Sequence, residues 1–139
     1  MTNATTAPTL ADIDAMAKAA LKLLPDALKS FTTDVVILTQ EFPDDDVCRE
    51  MELESPFDIL GLYQGTSLAD KRSDTSGAMP DMVFIYRRPI LDYWCETGDD
   101  LRHVVRHVLI HEIGHHFGFS DDDMDAIEDE AEAEERGDA

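Results

Sequence analysis

This chain of 139 residues predicts an α+β fold, a small mixed sheet packed on a central helix. Three observations carry that reading. Val35–Leu38, Ile59–Tyr63 and Met82–Tyr86 are short β-branched or aromatic runs of strand length. From Thr97 to Phe117 apolar residues recur at helical spacing nearly all the way round, as in a helix buried mid-domain. The length, with 43% hydrophobic residues, suits one domain with a core of its own.

Residues 1–8 are polar and read as a flexible start, with the domain running over 9–127. Thr9 and Asp12 have capping-box spacing, in which each side chain satisfies the other's free backbone N–H. Ile13, Met16, Ala17, Ala20, Leu21 and Leu24 then mark the buried face of a first helix, which Pro25 ends. The first strand follows and breaks at Phe42-Pro43-Asp44, before a short helix around Val47–Leu53. Between the second and third strands, residues 64–81 hold glycines, Pro80 and many small polar residues, and predict a long surface loop able to act as a lid. Arg87-Arg88-Pro89 end the third strand, and a turn or short helix carries Tyr93 and Trp94. Thr97 with Asp100 repeats the capping spacing and opens the central helix, which Gly118 stops. Ser120 with Asp123 caps a last helix, packed through Met124, Ile127 and Ala131. The acidic stretch 128–139 reads as a tail frayed into solvent.

The charge balance is 11 Lys+Arg against 31 Asp+Glu, a net −20. Such a field repels nucleic acid and anionic lipid, so neither is an expected partner. A decoy that captures a basic protein is compatible with it. Met1 to Pro8 have neither the basic start nor the apolar run of a signal peptide, and Cys48 and Cys95 read as reduced thiols. The expected location is the cytoplasm, with no membrane span.

The chemistry concentrates in His111-Glu112-Ile113-Gly114-His115. Two histidines four apart on a helix lie about 40° apart around its axis, one turn apart along it, so their imidazoles can converge on one ion. Glu112 then stands beside the ion's water, placed to take its proton. Zinc in a catalytic site usually has three protein ligands. Gly118 lets the chain reverse, and Asp121 can offer the third, with Asp122 and Asp123 as competitors. The full string is H-E-x-x-H-x-x-G-x-x-D, the metzincin pattern with aspartate in place of the third histidine. Histidines that merely pack a buried helix would leave Glu112 as an unpaired charge on an apolar surface, which is costly. Two histidines and a carboxylate also suit Fe(II), but the helix-borne spacing favours Zn2+.

Neighbouring residues have blander readings beside the functional ones. His116 points about 100° away from His115 and is not a ligand. His103 and His107 continue the four-residue series and allow a second metal site, although helical drift turns His103 some 120° from His115. Met124 either lies under the metal or packs the last helix. Tyr86 or Arg87 can stabilise an oxyanion, and Met82–Tyr86 can act as an edge strand for an extended substrate.

In these residues, and in Leu60-Gly61-Leu62-Tyr63-Gln64-Gly65 and Ile85-Tyr86-Arg87 leading to Pro89-Ile90-Leu91, the chain resembles a family of small bacterial zincin-like proteins, the minimal metallopeptidases. The resemblance covers most of the chain. It implies a compact zincin-like core, a Zn2+ cofactor, a peptide or protein substrate and hydrolysis with Glu112 as general base. A non-catalytic metal-binding or interaction module is the alternative. No room remains after Asp121 for a separate Met-turn and C-terminal subdomain as in metzincins, which speaks against a deep substrate pocket.

Overall fold

A computed structural model describes residues 6–65 and 80–135. The chain order is α1 (Leu10–Lys22), α2 (Asp26–Lys29), β1 (Val36–Gln40), α3 (Asp45–Glu50), a 3-10 turn (Pro56–Asp58), β2 (Gly61–Gln64), β3 (Met82–Tyr86), α4 (Arg87–Thr97), α5 (Leu101–His116) and α6 (Asp121–Glu135). The architecture is α+β, as the hydrophobic periods predict.

The sheet order is β1-β3-β2, with β1 parallel and β2 antiparallel to β3. Met82–Tyr86 is therefore the central strand, which overturns its expected place at the edge. Strand order depends on nonlocal pairing, which a local apolar run does not encode. Register Ile37↔Val83↔Tyr63 and Thr39↔Ile85↔Gly61 puts these six residues on one face. Helices α1 and α5 cover that face, α1 over β1 and α5 over β2 and β3. The Thr39 hydroxyl donates to Asp14 Oδ1 at 2.8 Å and ties β1 to α1. On the other face Val36 and Leu38 are about two-fifths exposed, so β1 is one-sided rather than buried throughout.

Helix α5 is the axis of the core. Val105, Leu109, Ile110 and Ile113 are fully buried, among Ile13 and Ala17 of α1, Val83 and Ile85 of β3, and Met124 of α6. Its N-cap is Asp100, which accepts from Arg102 N, not the expected Thr97. Thr97 instead ends α4, whose capping Gly98 is left-handed at φ 71°. Helix α4 is longer than expected because Pro89 falls in its first turn, where a missing N–H costs nothing. The capping boxes at Thr9/Asp12 and Ser120/Asp123 are both formed.

Helix α6 continues through Glu135, with Ala131 buried. The expectation of a frayed tail from 128 onward is corrected for 128–135, since an apolar stripe of Met124, Ile127 and Ala131 holds this acidic helix on α5. Arg106, buried in α5, pairs with Glu135 near the end of α6. The expected lid at 64–81 falls for the most part on residues 66–79, outside the described residues. Among the described residues no helix is long and apolar enough to cross a membrane.

Candidate metal centre

His103, His107, His111 and His115 form a row along α5, one turn apart. Gly118, at φ 80°, takes the left-handed turn that ends the helix. Only Phe119 and Ser120 then separate it from α6, which runs back along the histidine row. Gly114 fixes how closely the helices meet. A Cβ there would lie 2.5 Å from Met124 Sδ and 2.8 Å from its Cγ, so the missing side chain is the seat of Met124. Met124 is fully buried and belongs to the core, the packing role of its two readings.

This seating brings acidic residues of α6 to the histidines in order. His115 Nε2 lies 3.9 Å from Asp121 Oδ1, and both side chains are exposed. His111 Nε2 lies 3.2 Å from Glu128 Oε2, and His107 Nδ1 lies 2.7 Å from Glu128 Oε1. His103 Nε2 is 3.8 Å from Glu132 Oε1. The His111 and His115 rings stand perpendicular, with centroids 5.7 Å apart. His111 thus faces Glu128, and the imidazole would have to turn to share an ion with His115 and Asp121. Among the described residues, the group whose donor atoms all come within 4.8 Å of one another is His107, His111 and Glu128.

Glu128 was not a candidate in the sequence. It lies in a run of acids that reads as solvated, and its one signal is its place four residues after Met124 on the apolar stripe. Burial opposes its ionisation, but the hydrogen bond and charge of His107, then His111, hold its carboxyl below the ordinary value. The same hydrogen bond raises His107 above the usual histidine value, against partial burial.

Glu112 sits on the other flank of α5. It is half-buried between α5 and β2, close enough to Gly61 that a Cβ there would come within 3.5 Å of Glu112 Cγ. Burial raises its pKa, against the pull of His115 and a hydrogen bond from Tyr63 N–H. β2 can approach so closely because Gly61 carries no side chain: a Cβ would lie 2.7 Å from Val108 Cγ1. Tyr63 in turn stacks on His116, centroids 3.9 Å apart and planes 20° apart, and donates its hydroxyl to Asp81 Oδ2 at 2.7 Å. His116 is thus a packing partner of β2 and not one of the metal-facing row.

The two oxyanion expectations are corrected. Tyr86 is 1% exposed and presents no hydroxyl to a substrate. Arg87 donates to the Pro8 carbonyl at 2.8 Å and pairs with Glu41 at 2.9 Å.

The donor set fits a divalent metal. Imidazole nitrogens and carboxylate oxygens are ordinary zinc ligands, and tetrahedral coordination at about 2.0–2.1 Å sets neighbouring donors roughly 3.3 Å apart. The His115–Asp121 and His111–Glu128 separations, 3.9 and 3.2 Å, lie within about 0.6 Å of that value. No curated protein matches the chain. A family model described as zincin-like metallopeptidase matches residues 32–131, which takes in the sheet, the histidine row and α6 through Ala131. With that match over most of its length, the chain belongs to the zincin-like metallopeptidase family.

Proposed function

We propose that this protein hydrolyses peptide bonds with a zinc ion held by His111, His115 and Asp121, and with Glu112 as general base. The observation that carries the reading is Glu112 itself: a half-buried carboxylate beside His115, held by Tyr63 N–H against β2. A charge is costly there unless it is used or paired, and a single backbone donor pairs it only in part. When bound, zinc lowers the pKa of water toward about 7 and polarises a carbonyl oxygen.

The chain's own residues supply the rest. Glu112 takes a proton from the attacking water and delivers it to the nitrogen of the leaving amine. Its raised pKa matches that duty, since a base that returns its proton works best near the operating pH. Tyr63 N–H fixes the direction of the carboxylate. The strand that lies along Glu112 is β2, which among the described residues pairs on one side only, with β3, and an extended peptide can add along its other side at the backbone groups that Glu112 leaves open. This role passes from Met82–Tyr86 to Gly61–Gln64. His115 and Asp121 lie in the open, which suits exposed chain segments of protein substrates.

The test is Glu112→Gln. The variant keeps its size and the Tyr63 N–H contact, so zinc binding is expected to persist while cleavage of a diverse peptide library falls by about 10²–10⁴-fold, the usual worth of a general base. Unchanged cleavage would remove Glu112 from the mechanism. A second reading, a metal-binding module without turnover, is favoured by His111 facing Glu128 rather than His115. It predicts a zinc-loaded native chain that cleaves nothing in the same library.

A further inference from the structure

His107 and Glu128 have no part in the reading above, yet they hold the tightest arrangement of metal-ligand atoms in the described residues. Two imidazole nitrogens and a carboxylate come within 4.8 Å of one another. The two carboxylate oxygens are divided between the rings, Oε1 to His107 Nδ1 at 2.7 Å and Oε2 to His111 Nε2 at 3.2 Å. Opening the shorter gap by about 0.6 Å reaches the donor spacing of tetrahedral zinc. The backbone positions are set by the core: Val108, Leu109 and Ile110 of α5 and Met124, Ile127 and Ala131 of α6 are all buried. One turn further along the same interface stand His103 and Glu132, so the group opens onto a groove lined by acids and imidazoles.

We propose that His107, Glu128 and His111 form a second divalent transition-metal site, which competes for His111 with the set His111, His115 and Asp121. The competition rests on the reading of the first set given above; the His107–Glu128–His111 site stands without it. His111 Nε2 can face one group or the other, so the native chain holds one ion. Around α5, His107 and Glu112 lie on opposite sides of His111, about 140° apart. An ion held at His107 and Glu128 is therefore remote from Glu112, and that state binds metal without hydrolysing peptides. The net charge of −20 concentrates cations around both sets alike, so their relative affinity decides the occupancy.

The experiment is calorimetric titration of the chelator-stripped full chain with Zn2+, on the native protein, His115→Ala, His107→Ala and the double variant, with Glu128→Gln as a second probe of the new site. His107 and His115 are exposed, so these substitutions leave the core intact, and far-UV circular dichroism verifies it. The native chain is expected to bind one ion. His115→Ala still binds one, at His107, Glu128 and His111. Adding His107→Ala or Glu128→Gln to it weakens binding by at least about tenfold, the loss that even an outer partner of a ligand causes. Two results would overturn the site: no binding by His115→Ala, or binding by it that neither added substitution weakens. Two ions per native chain would overturn the sharing of His111. If His107→Ala alone abolishes binding while His115→Ala leaves it intact, the His111–His115–Asp121 reading fails and this site stands.

Discussion

Gly114→Ala tests the contact that positions the last helix. The added methyl would lie 2.5 Å from Met124 Sδ, 2.8 Å from Met124 Cγ and 3.7 Å from Phe119 Cβ. Ordinary contact needs about 3.5–4.0 Å, so α6 or the Met124 side chain must move by roughly 1 Å. A surface methionine would swing aside, but Met124 is fully buried in the core. Overpacking of this kind costs about 1–3 kcal/mol, and the better helix propensity of alanine returns about 1 kcal/mol. The net expectation is a loss of up to about 2 kcal/mol, read by urea unfolding followed by circular dichroism. Met124→Ala alone leaves a cavity and costs about 2–5 kcal/mol. In the double variant the new methyl occupies part of that space, so its loss should fall short of the sum by at least about 1 kcal/mol. A strictly additive double variant would refute the claim that this contact sets the spacing of the helices.

Gly61→Ala is expected to lose about 1–3 kcal/mol in the same urea assay, because its methyl meets Val108 Cγ1 at 2.7 Å and the Phe84 carbonyl oxygen at 3.0 Å. Shortening Val108 to alanine in that background should recover part of the loss. Folding stability is expected to fall between pH 10 and about 12. Burial first, then the charges of Asp44, Cys48 and Glu112, push Tyr86 up to about 12, and burial with Asp81 moves Tyr63 in the same direction. The sign follows from linkage: in the unfolded chain a tyrosine loses its proton near 10, whereas the folded chain retains it, so rising pH favours unfolding. Thermal melts across pH 9–12 on the native protein and Tyr86→Phe measure it, and the substitution should flatten the slope.

The elements that proved legible are those whose signal is local. The all-round apolar stretch of α5, the glycine that ends it and the reciprocal caps at Thr9 and Ser120 each depend on residues within a turn of one another. The start of α5 was misplaced because Thr97 and Asp100 both carry capping chemistry, and only the left-handed Gly98 between them separates two helices. The order of the strands was beyond reach, since Met82–Tyr86 has the same composition whether it lies at the centre or the edge. The site divides in the same way. His111, Glu112 and His115 follow from helical spacing, but Glu128 joins them through the register of one helix on another. Met124 resting on Gly114 sets that register, and no pattern within α6 announces it.

That resting point has a mechanical consequence. Helix α6 is a beam seated at Met124, Ile127 and Ala131, with Asp121 three residues to one side of Met124 and Glu128 four to the other. At 1.5 Å per residue the arms are about 4.5 and 6 Å long, so a 10° tilt moves their ends by roughly 0.8 and 1 Å in opposite directions. Displacements of that size separate the donor gaps found here from those of a bound ion. Because Ile127 and Ala131 also rest in the core, the beam is clamped against that tilt, and the gaps are left for side-chain rotation to close.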